Sequence, residues 1–161
     1  MPIRLSGDTD DVQQGVKNLL GAYPYAARRF DGEVRARRVS APDAPSLTVC
    51  RDGGAVQVAY RRRCDFFRAL GAVLAGEDNV YERAAYEKSG VMLDVSRDAA
   101  YTMAQLREFL AWLALCGFNT CYLYMEDTYR LEKYPYFGYL RGAYSLEELK
   151  ACLLYTSSIF T

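Results

Sequence analysis

The sequence predicts an α/β chain in which a small α+β domain, residues 1–88, precedes a βαβ unit, residues 89–150. Three observations carry that prediction. Gly90-Val91-Met92-Leu93-Asp94-Val95 is nearly continuously apolar, the pattern of a strand covered on both faces. Thr102 to Leu113 then carries a helical repeat, and Thr120 to Met125 reads as a second strand. A short strand, a helix and a short strand within about 35 residues form a crossover that makes the two strands parallel.

Each element has its own signal. Val12, Val16, Leu19 and Leu20 share one side of a helix predicted over Asp10 to Leu20. Leu47-Thr48-Val49-Cys50-Arg51 and Ala55-Val56-Gln57-Val58-Ala59-Tyr60 alternate, and Asp52-Gly53-Gly54 joins them. That is a hairpin, because glycine takes the positive φ angles its turn needs. Phe66, Phe67, Leu70, Val73 and Leu74 fit one helical face that packs onto the hairpin. This front region is read as a packing module without chemistry of its own. In the second region Thr102 and Gln105 have the spacing of a capping box. Met103, Leu106, Phe109, Leu110 and Leu113 recur on one face, and Gly117 supplies a left-handed stop. Glu126 and Asp127 follow the second strand, at the end where α/β folds place polar chemistry.

Composition excludes several function classes. At 161 residues with 51% hydrophobic content, the chain is globular. Twenty basic and twenty acidic residues cancel, so no charge excess favours nucleic acid or an anionic membrane. Arg61-Arg62-Arg63 is read as a solvated helix start. No apolar run approaches the roughly 20 residues of a membrane helix. MPIRLSGDTDD also lacks a signal-peptide core, so a cytoplasmic location is expected. Cys50, Cys64, Cys116, Cys121 and Cys152 form no C-x-x-C pair and are expected as reduced, buried thiols. There is no histidine, which removes Ser-His and Cys-His pairs and histidine-based metal sites. No cofactor and no metal are expected.

GVMLDVSR (Gly90 to Arg97), GFNTCYLYMED (Gly117 to Asp127) and YPYFGYLRGAYS (Tyr134 to Ser145) together resemble glycoside hydrolase family 20, the β-N-acetylhexosaminidases. The resemblance implies the family's small α+β domain followed by the first βαβ unit of an incomplete TIM barrel. In the family a Leu-Asp-x-x-Arg pattern opens the barrel, matched by Leu93, Asp94 and Arg97. A Leu-His-x-x-Asp pattern closes the second strand, matched by Leu123 and Asp127. Two positions depart: Ser89 stands where many members have a sugar-gripping arginine, and Tyr124 stands in place of the histidine.

The resemblance also implies a substrate, an amino-sugar glycan, and a reaction. Adjacent carboxylates on a strand point to opposite faces, so Glu126 and Asp127 do not flank one bond as conventional glycosidase carboxyls do. In family 20 the substrate's own 2-acetamido oxygen attacks the anomeric carbon, helped by an Asp-Glu pair after a later strand. No Asp-Glu dipeptide occurs in this sequence, so no catalytic residue is assigned. The candidate substrate contacts are Asp127, Glu126, Asp94, Arg97, Tyr129 and Arg141. Asp127 either binds a sugar hydroxyl or holds a loop. Asp94 and Arg97 either meet substrate or pair with each other to fix the first loop. Tyr129, Tyr134, Tyr136, Phe137 and Tyr139 suit sugar faces but are read mainly as packing.

A TIM barrel takes roughly 250 residues. The positions after Ser89 are expected to hold two strands and one helix, leaving bare sheet edges and a marginal, aggregation-prone chain. The run 151–161 is expected to abandon the helix begun at Ser145 and to be foreign to the fold. Two alternatives stay open: a different TIM-barrel carbohydrate hydrolase, or a noncatalytic carbohydrate-binding or interaction module.

Overall fold

The computed structural model describes residues 3–97, 100–139 and 141–160. Its first half is a five-stranded mixed sheet in the order β1-β2-β4-β3-β5. The strands are β1 (Ile3–Gly7), β2 (Gly32–Arg38), β3 (Leu47–Asp52), β4 (Ala55–Tyr60) and β5 (Asn79–Glu82). β1 runs parallel to β2 and β2 parallel to β4, whereas β3 is antiparallel to both β4 and β5. The predicted hairpin is β3–β4, with Gly53 and Gly54 at φ 55° and 101°. Helices α1 (Gln13–Ala22) and α2 (Arg63–Ala75) cover one face of this sheet.

The alternation along β2 shows which face is buried. Val34 and Ala36 lie in the core, while Arg35 and Arg37 face water. On β4 Val56, Val58 and Tyr60 are buried on the same face, and Ala55 at the strand's start is buried too. Phe66 of α2 meets Tyr60 edge to face at a ring-centroid distance of 5.3 Å, and Phe67 meets Phe66 in the same way at 5.5 Å. Such pairs add about 0.5–1.5 kcal/mol beyond their area burial.

The second half begins with β6 (Gly90–Asp94), α3 (Met103–Leu115) and β7 (Thr120–Tyr124), and β6 pairs with β7 in parallel. This is the βαβ unit the sequence predicts. Thr102 Oγ1 accepts from the Gln105 amide, and Gln105 Oε1 accepts from the Thr102 amide, completing the capping box. Gly117 ends the helix at φ 89°. Leu106, Leu110 and Leu113 are buried, in one hydrophobic core with α1, α2 and the first sheet. A Cβ on Gly71 of α2 would collide with the Leu115 carbonyl oxygen, so the absence of a side chain there sets how closely α2 and α3 cross.

Several expectations are corrected. The first helix starts at Gln13, because the 8–12 segment turns before it, although Val12, Val16 and Leu19 are buried as expected. Strand β6 is covered on one face only. Val91 and Leu93 pack on the core, whereas Met92 is 70% exposed. Arg62 and Arg63 are not a solvated run. Arg62 forms a bidentate pair with Asp65 (2.9 and 3.1 Å), and Arg63 donates to the Ser157 carbonyl. Of the cysteines, Cys64 and Cys152 are buried, but Cys50 and Cys116 are exposed.

The largest correction concerns the C-terminal run. A further helix, α4 (Leu146–Ser157), passes straight through residue 151, so the described residues of this half form two strands and two helices. Ser145 Oγ accepts from the Glu148 amide while the Glu148 carboxylate accepts from the Ser145 amide, a second capping box. Cys152, Tyr155, Ile159 and Phe160 are buried, and Ser158 Oγ accepts from the Asn18 side-chain amide. Leu153 and Leu154 stay exposed, which is why the run does not read as amphipathic.

Candidate functional site at the carboxyl ends of the parallel strands

The site is built from the loops that leave β6 and β7. Asp94 ends β6 and folds the chain over itself. Its Oδ1 accepts from the Ser96 hydroxyl (2.7 Å), the Ser96 amide (2.9 Å) and the Arg97 amide (3.2 Å). Its Oδ2 lies 3.2 Å from Arg97 Nη1. The Ser96 hydroxyl bond, then the Ser96 amide bond, hold the Asp94 carboxyl below the usual carboxylate range. Of the two readings of Asp94 and Arg97, the geometry contains the pair that fixes the first loop.

Arg97 connects this loop to the next. Its guanidinium lies 5.5 Å from the centroid of the Tyr124 ring and 3.9 Å from Glu126 Oε1. The Tyr124 hydroxyl donates to the same Glu126 oxygen at 3.1 Å, and that bond raises the phenol's pKa. Tyr124, Glu126 and Arg97 are thus one cluster.

Asp127 belongs to a different one. Its Oδ1 is buried, receives no hydrogen bond among the described residues, and lies 3.5 Å from Arg141 Nε. Arg141 also donates to the Ser96 carbonyl, so it ties the loop after β6 to the loop after β7. Neighbours in sequence, Glu126 and Asp127 take separate partners; strand alternation is not the reason, because β7 ends at Tyr124 and both lie in the loop beyond it. The segment beyond folds back onto itself. The Tyr144 amide donates to the Thr128 carbonyl (2.8 Å), the Arg130 amide donates to the Tyr144 carbonyl (2.9 Å), and Gly138 at φ 66° sits against the Asp127 backbone.

The aromatic cluster is corrected in part. Tyr129 is half-buried with its ring centroid 5.2 Å from that of Phe137, which is packing. Tyr134, Tyr136 and Tyr139 are instead 66%, 82% and 67% exposed. They ride on successive turns around Pro135 and project outward because nothing in the described residues covers that loop. Sequence reasoning missed Ser96 and Thr128, both buried polar residues beside the site. Ser96 follows the strand-ending Asp94 by two, the spacing of an Asx turn, and that signal was available. Among the described residues, no group of three or more acidic, cysteine or histidine side chains is placed to hold a metal ion.

Solved structures supply the decisive comparison. The Streptomyces plicatus N-acetyl-β-hexosaminidase, in complex with Thio-NAglucal, matches over 98% of this chain with a TM-score of 0.71 and 16% identity. The chain has the fold of the front part of that enzyme. A family 20 exo-β-N-acetylglucosaminidase from Vibrio harveyi, in complex with N-acetylglucosamine, matches over 97% of the chain with a TM-score of 0.73 and 12% identity. The β-N-acetylhexosaminidase of Bacteroides fragilis matches over 97%, with a TM-score of 0.69 and 12% identity. The chain spans 39%, 31% and 38% of those three structures respectively. No family model and no curated protein sequence matches it. The likeness therefore rests on three-dimensional form, and it extends through α4.

Proposed function

We propose that this chain is the front part of a family 20 glycoside hydrolase that removes terminal β-linked N-acetylhexosamine. Residues 1–88 are its small α+β domain, and residues 89 onward open its catalytic barrel. The observation that carries this reading is Asp127, a carboxylate just past the carboxyl end of the second parallel strand whose buried Oδ1 has no hydrogen-bond partner among the described residues. A carboxylate so placed suits a sugar hydroxyl, and the Arg141 guanidinium lies 3.5 Å from it. The fold likeness to enzymes whose structures hold N-acetylglucosamine supports the same substrate class.

In this reading Asp94, Arg97 and Ser96 shape the first loop, and Arg141 sets its distance from the second. Glu126 joins Arg97 and Tyr124 at the rim, and Tyr129 braces the loop beneath. Hydrolysis proceeds by attack of the substrate's acetamido oxygen, with a glutamic acid protonating the leaving oxygen and an aspartate orienting the acetamide. That Asp-Glu pair lies outside these 161 residues, since the dipeptide is absent from them. By itself the chain is expected to be inactive.

The test is hydrolysis of chromogenic β-N-acetylglucosaminide and β-N-acetylgalactosaminide by the full-length protein that carries this chain. Turnover is expected, and Asp127→Asn is expected to lower kcat/KM about ten- to a hundredfold, the value of a hydrogen bond to a charged group. Failure to cleave either substrate by a folded full-length protein would sink the proposal.

A further inference from the structure

A second concave site lies between α1, α3 and α4, and none of the candidate substrate-contact residues lines it. This cleft of about 590 Å³ is lined by Lys17, Asn18, Gly21, Ala22, Ala104, Arg107, Ala151, Leu154 and Tyr155. Its volume falls in the range of small-molecule sites. Lys17 and Arg107 are its charged groups, and no carboxylate is among the lining residues. Among the described residues neither cation has an ion-pair partner, whereas many of the chain's other arginines are paired.

The second observation is independent of charge. Tyr155 is only 8% exposed, and its hydroxyl is buried without a hydrogen-bond partner among the described residues. Arg107 Nε is likewise buried and unpartnered. Folded chains rarely leave such donors unsatisfied, and each instance calls for an acceptor or an explanation. The two groups are neighbours: burial raises the Tyr155 phenol's pKa, and the Arg107 charge opposes that rise. Two unpaired cations and two orphan donors thus meet in one cleft whose remaining wall, Asn18 apart, is apolar and mostly small.

We propose that this cleft binds a small oxyanion, a phosphate or carboxylate group on a compact molecule, through Lys17, Arg107 and Tyr155. The planar guanidinium fork matches two oxygens of either group, Lys17 supplies a mobile second charge, and the Tyr155 hydroxyl donates to a third position. Ala22, Ala104, Ala151 and Leu154 leave room for a short apolar stem.

The experiment is an amide-resolved NMR titration of the whole chain with sodium phosphate and, separately, sodium acetate, at ionic strength fixed with sodium chloride. Saturable shifts confined to α1, α3 and α4 are expected. Saturation by phosphate alone assigns a phosphate ligand, and saturation by acetate assigns a carboxylate. Arg107→Gln is expected to weaken binding at least about tenfold, the loss of one charge-assisted pair. Lys17→Gln should weaken it less, and it carries the test if the Arg107 variant fails to fold. Tyr155→Phe should also bind more weakly while remaining folded. Shifts that never saturate, or that are unchanged in the folded Arg107→Gln and Lys17→Gln variants, overturn the proposal. Neither result depends on glycosidase activity.

Discussion

Asp94 shows how a single side chain organises the site. Three donors and one guanidinium converge on its carboxylate, so the charged form is favoured in the folded chain. The sign follows directly. A carboxyl whose folded pKa is depressed contributes stability above its unfolded value of about 3.9, and loses it as pH falls through the lower folded value. The amide resonances of Ser96 and Arg97 are therefore expected to titrate together, with a midpoint below about 3.9. A midpoint at or above that value would mean the carboxylate is not held as described. Asp94→Asn should abolish the transition while leaving β6 paired. The contribution to global stability is small, because the group is solvent-accessible and such pairs are screened.

At the scale of elements, α4 decides more than its position near the chain's end suggests. It docks through Cys152, Tyr155, Ile159 and Phe160, and its last turn is tied to α1 through Asn18 and to α2 through Arg63. Gly15 of α1 lies so close to the Ser158 carbonyl that a Cβ there would collide with it. Ile159 is fully buried in the same core as α1 and α2. Ile159→Ala is expected to destabilise the chain by about 2–5 kcal/mol, the range for removing a buried aliphatic side chain. Urea unfolding followed by circular dichroism measures this. A cost of only a few tenths of a kcal/mol would return residues 151–161 to the status of a passive tail.

The whole molecule has one core and one bare sheet. The β6–β7 pair presents Met92, Tyr122 and Tyr124 to water on the face away from the helices. Among the described residues each of the two strands has a single partner, so two strand edges are open. Open parallel edges beside exposed apolar side chains template association with another strand. The chain is expected to self-associate as concentration rises in sedimentation velocity, and Met92→Lys with Tyr122→Lys should reduce that tendency. A monomer that persists at all concentrations would show that the exposed face is tolerated in water.

How much of this was legible depends on the range over which each signal acts. The capping box at Thr102, the Gly53-Gly54 turn and the Gly117 stop operate within a few residues. The hairpin, α2, α3 and both parallel strands followed from them and from hydrophobic period. Strand β2 escaped because GEVRARR reads as charged, yet Val34 and Ala36 alternate with arginines in a period of two. What that pattern lacked was a partner, and β1 and β4 supply it from residues far along the chain. The same holds for the candidate site. Asp94, Arg97, Glu126 and Asp127 were visible as polar residues ending strands, and the Asp94–Arg97 pair was one of two readings. Only the tertiary structure placed Arg141 on both Asp127 and Ser96, turned three tyrosines outward, and brought Lys17, Arg107 and Tyr155 to one cleft. The sequence determined local geometry, because caps, glycines and periodicity fix dihedral angles nearby. Packing between distant segments decided partnership and burial, because those depend on which surfaces the finished core brings together.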